Sequence, residues 1–176
     1  IADSNSDDTD SVSFFSNKSA AQIRTINGIT EVKTLNLNGG SKVESLYVSG
    51  IEELSFLDQT VRLNSEAKSF VMPETSILKI EKNNQDVILT SAATSITSNA
   101  TGTALYVFEN SSNYSVNQVG KKNYLDQFDS ASNKTRTVEI TGVSSVQFMD
   151  KVHLVEIDYT IDVSGIPNLI KEGDTF

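Results

Sequence analysis

A chain of 176 residues with 38% hydrophobic side chains has room for a hydrophobic core in one domain or two small ones. The absence of cysteine excludes a disulfide framework, a thiolate zinc site and a cysteine nucleophile. Because the net charge is −9 and the basic residues are scattered, we expect no nucleic-acid partner. No apolar run approaches the roughly 20 residues that cross a bilayer, so we expect no membrane insertion.

The chain begins with a polar segment that contains four aspartates among serine, asparagine and threonine. Low hydrophobicity and like-charge repulsion predict an acidic, flexible arm over residues 1–19. Asp3, Asn5 and Asp7 match the first three ligand positions of a calcium loop, but the glycine and the bidentate glutamate of such a loop are missing. The favoured interpretation is an arm without a metal site, and weak calcium binding is the alternative.

The only apolar pair of the arm is Phe14 and Phe15, which makes these residues interface candidates. Two outcomes are open for the pair, docking on a neighbouring subunit or packing on its own domain. Strand edges that lack partners are commonly protected by symmetric pairing or by attachment to a larger lattice. We therefore expect residues 1–19 to contact a neighbour.

Strand patterns begin at Ile23. Residues 26–29 (INGI) predict a hairpin, because Asn-Gly supplies both positive-φ positions of a type I′ turn. An apolar spacing pattern, the repeated phrase, occurs as Val-x-x-Leu-x-Leu over residues 32–37, as Val-x-x-Leu-x-Val over 43–48 and as Ile-x-x-Leu-x-Phe over 51–56. Turns are predicted between these copies, at 38–40 and 49–50. Alternation with period two predicts a common buried set, which comprises Leu35, Leu37, Leu46, Val48, Leu54 and Phe56.

Further strands are predicted along most of the remaining chain, and only residues 124–130 have a weakly helical pattern. The strand segments are 60–63, 69–72, 77–81, 87–90, 104–109, 137–140, 145–149 and 152–163. Residues 110–134 are polar and predict a loop or linker. The domain prediction is thus a β domain over residues 20–109 and a β region over 135–176, which completes the same domain or forms a second small one.

The fold class predicted from these patterns is all-β. Asn-Gly hairpins join neighbouring strands antiparallel, which favours a mostly antiparallel β-sandwich or barrel-like architecture. A β-solenoid is the alternative, because the spacing from Val32 to Ile51 suits one solenoid coil. The uneven spacing of the repeated phrase favours the antiparallel architecture.

No residue of the chain is predicted to be catalytic. The single histidine, His153, lies between Val152 and Leu154 on a predicted strand, and alternation puts Asp150 and Asp158 on the opposite face. A surface-facing histidine without an orienting carboxylate is therefore expected. The acidic pairs resemble ordinary solvated strand faces and comprise Glu52-Glu53 and the series Glu156, Asp158 and Asp162. No cofactor is expected.

Residues 34–50 (TLNLNGGSKVESLYVSG) and 137–148 (TVEITGVSSVQF) resemble segments of phage and viral decoration, fibre or tail-accessory proteins. The resemblance implies a symmetric homo-oligomer, such as a trimer, that caps, braces or attaches and has no catalytic activity. Its implied partners are further copies of the chain and other virion or surface proteins.

The functional expectation is a non-enzymatic structural protein of a virion that acts through self-assembly and attachment. One alternative is a bacterial extracellular adhesin-type module that recognises a glycan or a protein through loops on a β scaffold. A glycan-cleaving enzyme is the second alternative. The expected location is a virion, the extracellular space or the cell surface.

Overall fold

The computed structural model describes residues 9–35, 43–64, 66–120, 122–131 and 133–155. In these ranges the chain forms sixteen strands and two short 3-10 turns, at Lys18–Ala20 and Ser111–Asn113, so the prediction of an all-β fold is confirmed. In chain order the strands are β1 (Ser11–Ser13), β2 (Ala21–Ile26), β3 (Ile29–Leu35), β4 (Val43–Val48), β5 (Glu53–Ser55), β6 (Thr60–Arg62), β7 (Phe70–Val71), β8 (Ile77–Ile80), β9 (Asp86–Ile88), β10 (Ser95–Ser98), β11 (Ala104–Tyr106), β12 (Tyr114–Val119), β13 (Lys122–Asp129), β14 (Lys134–Thr141), β15 (Ser145–Gln147) and β16 (Val152–Leu154).

These strands form four sheets, which we name by their position. The N-terminal sheet contains β1, β5 and β6, and the meander sheet contains β2, β3 and β4. The inner stack sheet has the order β16-β15-β11-β9-β7, and the outer stack sheet has the order β12-β13-β14-β10-β8. The two stack sheets together are called the stack.

Three apolar clusters show that the sheets lie in four consecutive layers. Leu54 of the N-terminal sheet packs with Val32 and Val48 of the meander sheet. The other face of the meander sheet contributes Ile26 and Ile29, which pack with Ile88 and Tyr106 of the inner stack sheet. The third cluster joins the inner and outer stack sheets through Val87, Leu105, Val146, Ile96 and Ile140. The inner stack sheet is therefore covered on both faces.

The stack is built from parallel coils, which are of nearly constant length up to β11 and longer where the β12-β13 hairpin is inserted. Three hydrogen bonds each join residues eighteen apart, one coil to the next: Thr94 to Ser76, Thr101 to Asn83, and Ala104 to Asp86. Strands β7, β9, β11 and β15 pair in parallel, as do β8, β10 and β14. Parallel coils, as in the solenoid alternative, thus occur over residues 70–147. The repeated phrase that suggested a solenoid covers residues 32–56 and lies outside these coils.

Antiparallel pairing, which the sequence favoured, occurs in the meander sheet, between β5 and β6, in the β12-β13-β14 part of the outer stack sheet and between β15 and β16. The β2-β3 turn has φ values of 46° at Asn27 and 83° at Gly28, and Ile26 pairs with Ile29. The predicted Asn-Gly hairpin is therefore confirmed. The turn predicted at 38–40 lies outside the described residues.

The predicted buried set is largely confirmed. Val48, Leu54 and Phe56 are buried, and Leu46 is partly buried against the same cluster. The side chains of Leu35 and Leu37 lie outside the part of the chain that the structure describes.

Two segment predictions need correction. Residues 11–20 contain β1, which pairs in parallel with β5, and a 3-10 turn, so this part of the predicted arm is folded onto its own chain. Much of the segment 110–134 is the β12-β13 hairpin, which includes the weakly helical segment 124–130. This hairpin is inserted between β11 and β14 and extends the outer stack sheet. The described residues contain no helix that is long and apolar enough to cross a membrane.

Two glycines with similar backbone angles differ in the space around their Cβ positions, and this difference shows how tightly the coils are packed. Gly142 follows β14 with φ +69°, and a Cβ there would collide with the backbone oxygen of Ser98 on β10. Gly120, at the tip of the β12-β13 hairpin, has φ +62° and no atom near its Cβ position. Alanine costs about 1–2 kcal/mol at either position because of the left-handed backbone, and only Gly142 adds the collision.

We expect Gly142→Ala to lower the free energy of unfolding by about 1–3 kcal/mol more than Gly120→Ala, because only the variant at Gly142 adds the cost of overpacking. Urea denaturation followed by circular dichroism measures both variants. Equal losses for the two would mean that β14 and β10 are not in the close contact described.

Candidate binding groove

A groove runs along the junction between the meander sheet and the stack. Two adjoining clefts of about 480 and 390 Å³ form the groove and share Arg24 and Glu109. The larger cleft lies between meander residues such as Tyr47 and residues from the β12-β13-β14 part of the outer stack sheet, such as Gln127. Its walls thus come from separate structural units. Arg24, Tyr47 and Arg136 lie on strands, which hold side chains more firmly than loops do, whereas Glu109 and Thr90 lie in loops.

Glu31 is the central polar residue of the larger cleft. Its side chain is only 4% exposed, and its carboxylate receives four contacts from protein donors. Arg24 contacts Oε2 through Nε at 2.8 Å and through a terminal nitrogen at 2.6 Å. Ser45 Oγ and Tyr47 Oη each donate to Oε1 at 3.0 Å. An ionised carboxylate has about four lone-pair sites, so the four contacts occupy the acceptor capacity of Glu31.

Tyr47 is held in its neutral form. Burial raises the pKa of Tyr47 well above its usual range, and the negative charge and hydrogen bond of Glu31 raise it further. Its ring lies 5.3 Å from the ring of Phe108 on the inner stack side. Tyr47 therefore links the buried Glu31 network to the apolar contact between the meander sheet and the stack.

The opposite wall is held by Arg136 of β14. One of its terminal nitrogens donates to the backbone oxygens of Thr90 at 2.6 Å and Ala93 at 2.5 Å. Burial lowers the pKa of the Arg136 guanidinium from its ordinary value. Nearby, Tyr114 Oη donates to Glu109 Oε2 at 3.0 Å, and burial together with Glu109 raises the pKa of Tyr114. This wall thus combines a fixed guanidinium, an aromatic ring and a carboxylate.

Lys33 completes the set of charged groups in the larger cleft. It is partly buried on β3, and its cross-strand neighbours are Gln22 and Ser45, which carry no charge. Among the described residues, no hydrogen bond or ion pair involves the Lys33 ammonium. The cleft therefore contains three cations, Arg24, Lys33 and Arg136, against two anions, Glu31 and Glu109.

A second polar cluster lies on the other side of the same junction. Asn27 Nδ2 donates to Tyr106 Oη at 3.1 Å, and the backbone N–H of Ala104 donates to Asp86 Oδ1 at 3.3 Å. Burial raises the pKa of Asp86, and burial with the charge of Asp86 raises the pKa of Tyr106 to about 12. This cluster ties the Asn-Gly turn of the meander sheet to the stack.

The structure places the sequence-derived site residues outside the groove. Phe14 is buried and stacks on Phe56 with ring centroids 4.8 Å apart, whereas Phe15 is 92% exposed. Of the two outcomes left open for the pair, Phe14 therefore packs on its own domain. The calcium candidates Asp3, Asn5 and Asp7 lie outside the described residues. In the ranges that are described, no group of three or more potential metal ligands comes together.

His153 departs from the surface-facing prediction. It pairs with Val146, which is fully buried, and directly opposite residues lie on the same face of a sheet. His153 therefore faces the stack core and is partly buried, while Val152 and Leu154 are exposed. Asp150 accepts hydrogen bonds from the backbone N–H and Oγ of Ser111 at 2.8 and 2.9 Å.

The acidic pairs proposed as solvated strand faces are only partly described. Glu52 accepts a hydrogen bond from the backbone N–H of Asp10 at 2.7 Å, and Glu53 lies 3.4 Å from Arg62. Glu156, Asp158 and Asp162 lie outside the described residues.

The groove residues were not identified from the sequence, although one signal for them was present. The Asn-Gly turn fixes the register of β2 and β3, and this register sets Arg24 directly opposite Glu31. An ion pair on one face of the hairpin was therefore predictable. The contributions of Arg136 and Tyr114 depend on the inserted hairpin and the stacking of coils, which no local pattern shows.

Comparison with protein-family models, curated proteins and solved structures finds no match to this chain. The functional argument therefore rests on the groove and on the surfaces of the described residues.

We expect Glu31→Gln to destabilise the protein by about 3–5 kcal/mol, because it leaves Arg24 partly buried without a compensating charge. The matched control is Glu53→Gln, whose partner Arg62 is 88% exposed, and it should cost no more than about 1 kcal/mol. Chemical denaturation at neutral pH measures both. Comparable losses would show that the Glu31 network does not hold the groove together.

Proposed function

We propose that the protein is a non-enzymatic binding module that attaches to an extended, polar ligand through the groove. The observation that carries the proposal is the pair of adjoining clefts that share Arg24 and Glu109. Together the clefts offer an elongated site, which suits a chain-like ligand better than a single small molecule. The Ser-, Thr- and Asn-rich composition supports a location outside the cell or on a virion.

The chemistry of the groove supports binding over catalysis. Hydrolysis of a glycosidic bond generally uses two carboxyl groups. Glu31 and Glu109 are the carboxylates that line the larger cleft, and the lone pairs of Glu31 are occupied by Arg24, Ser45 and Tyr47. Glu31 is thus a structural group, which leaves Glu109 without a second catalytic carboxylate in the larger cleft.

The groove predicts specific ligand binding on a glycan array. The test variant combines Lys33→Ala with Gln127→Ala, which truncate two side chains that line the larger cleft. The matched control combines Lys79→Ala with Gln118→Ala, which removes the same residue types from exposed positions of the outer stack sheet. We expect the wild-type protein and the control to bind the same glycans, and the groove variant to bind them at least tenfold more weakly. Binding that survives unchanged in the groove variant, or an empty array, would contradict the proposal.

A second candidate function, a structural virion protein that acts through self-assembly, is favoured by a different observation. The terminal strands of the stack sheets carry exposed apolar side chains, with Ile77 59% exposed on β8 and Leu154 78% exposed on β16. Exposed apolar side chains on terminal strands favour association with another chain. A homo-oligomer such as a trimer is part of this candidate.

The assembly candidate predicts a concentration-dependent mass in analytical ultracentrifugation at tens of micromolar. Leu154→Asp should shift the protein toward the monomer, because it puts a charge into the apolar surface. Leu57→Asp, at a loop position that is 69% exposed, is the control and should leave the mass unchanged. A wild-type protein that is monomeric throughout this range would refute self-assembly without affecting the binding proposal.

A further inference from the structure

We propose that the ligand of the groove is an oligosaccharide that carries carboxylates, such as a short chain of uronic acid residues. This inference rests on the proposed binding function and adds the chemical class of the ligand. The observation behind it is that two of the three cations in the larger cleft, Lys33 and Arg136, lack an acidic partner among the described residues.

The excess of cations over anions in the larger cleft is opposite to the charge of the whole chain, which has 23 acidic and 14 basic residues. Arg24 pairs with Glu31, and the four contacts to Glu31 leave it no capacity for Lys33. A partly buried cation without a counter-charge is costly, and an anionic ligand would remove that cost.

Arg136 offers donors in a fixed direction. One terminal nitrogen is held by two backbone oxygens, which anchors the planar guanidinium. Its Nε and its other terminal nitrogen have no partner in the described part of the chain. Its cross-strand neighbour Gln127 is uncharged. Nε and the other terminal nitrogen lie on different edges of the guanidinium, so each offers a single charged N–H donor to an oxygen of an anionic ligand.

The remaining lining is suited to sugar hydroxyls and rings. The second cleft is lined by the amide groups of Gln22, Asn110 and Asn113 and the hydroxyl of Ser112. Amides and hydroxyls both donate and accept hydrogen bonds, as sugar hydroxyls do. Tyr114 adds a partly buried aromatic ring in the larger cleft. The carboxylate thus fits the larger cleft, and neutral hydroxyls of the next sugar fit the second cleft.

A matched pair of ligands tests the charge requirement directly. Isothermal titration calorimetry compares a tetrasaccharide of galacturonic acid with its fully methyl-esterified form, which has the same rings and no charge. We expect the acid to bind at least tenfold more tightly than the ester. We also expect its affinity to fall as salt rises from 50 to 500 mM, because salt screens the attraction. A sialylated trisaccharide, with one terminal carboxylate, distinguishes recognition of a chain end from recognition of an internal sugar.

The variant Lys33→Gln should remove most of the preference for the acid, whereas Lys79→Gln on β8 should leave it unchanged. Equal affinity for acid and ester, or a preference that Lys33→Gln does not alter, would overturn the assignment of a carboxylated ligand. If neutral glycans alone bind and the groove variant weakens them, this inference fails and the binding proposal stands. If the array is also empty, both fail.

Discussion

The burial of the inner stack sheet on both faces is the constraint on which the rest of the structure depends. Adjacent residues of its strands point to opposite faces, and both are buried: Val87 packs toward the outer stack sheet, and Ile88 packs toward the meander sheet. A large apolar side chain contributes about 1.5–3 kcal/mol when it is fully buried. The meander sheet and the outer stack sheet are therefore held together mainly through the inner stack sheet between them. Hydrogen bonds such as Asn27 to Tyr106 fix the position of the meander sheet on the inner stack sheet.

The groove follows from the same layering. The meander sheet covers the inner stack sheet near the Asn-Gly turn, where Ile26 and Ile29 reach Tyr106. Farther along the same face, the meander sheet carries Arg24, Glu31 and Lys33 instead of apolar residues, and the two layers leave a polar cleft. The Glu31 network keeps this part of the junction ordered without an apolar core. Buried polar groups are stable in this way when each of them has hydrogen-bond partners.

The sequence predicted the meander far better than the stack. The long meander strands alternate between apolar and polar residues, which is why Leu46 and Val48 were assigned to the correct face. Residues 104–108 are buried at every position because both faces of their sheet are covered, so alternation says nothing about them. β10 carries a single large apolar residue, Ile96, and was not predicted as a strand.

His153 shows the opposite error, in which alternation was visible but misleading. His153 was predicted to face the surface because its neighbours Val152 and Leu154 are apolar. Its pairing with the buried Val146 on the antiparallel strand β15 places it toward the interior instead. The register of the short β15-β16 hairpin, which the apolar pattern of β16 does not reveal, decided this site. The groove was missed for a different reason, because its far wall depends on Arg136 meeting backbone oxygens more than forty residues away in the chain.

The β12-β13 hairpin gives the groove a wall that is not part of the repeating parallel coils. The coils pair above and below it in unbroken parallel register, with β10 joined to β14 although the hairpin interrupts the chain between β11 and β14. Yet the hairpin supplies Tyr114 and Gln127 to the groove. Because Leu125 of the hairpin belongs to the buried core of the stack, the exposed tip around Val119 and Gly120 is the part of the hairpin whose length can change without opening that core.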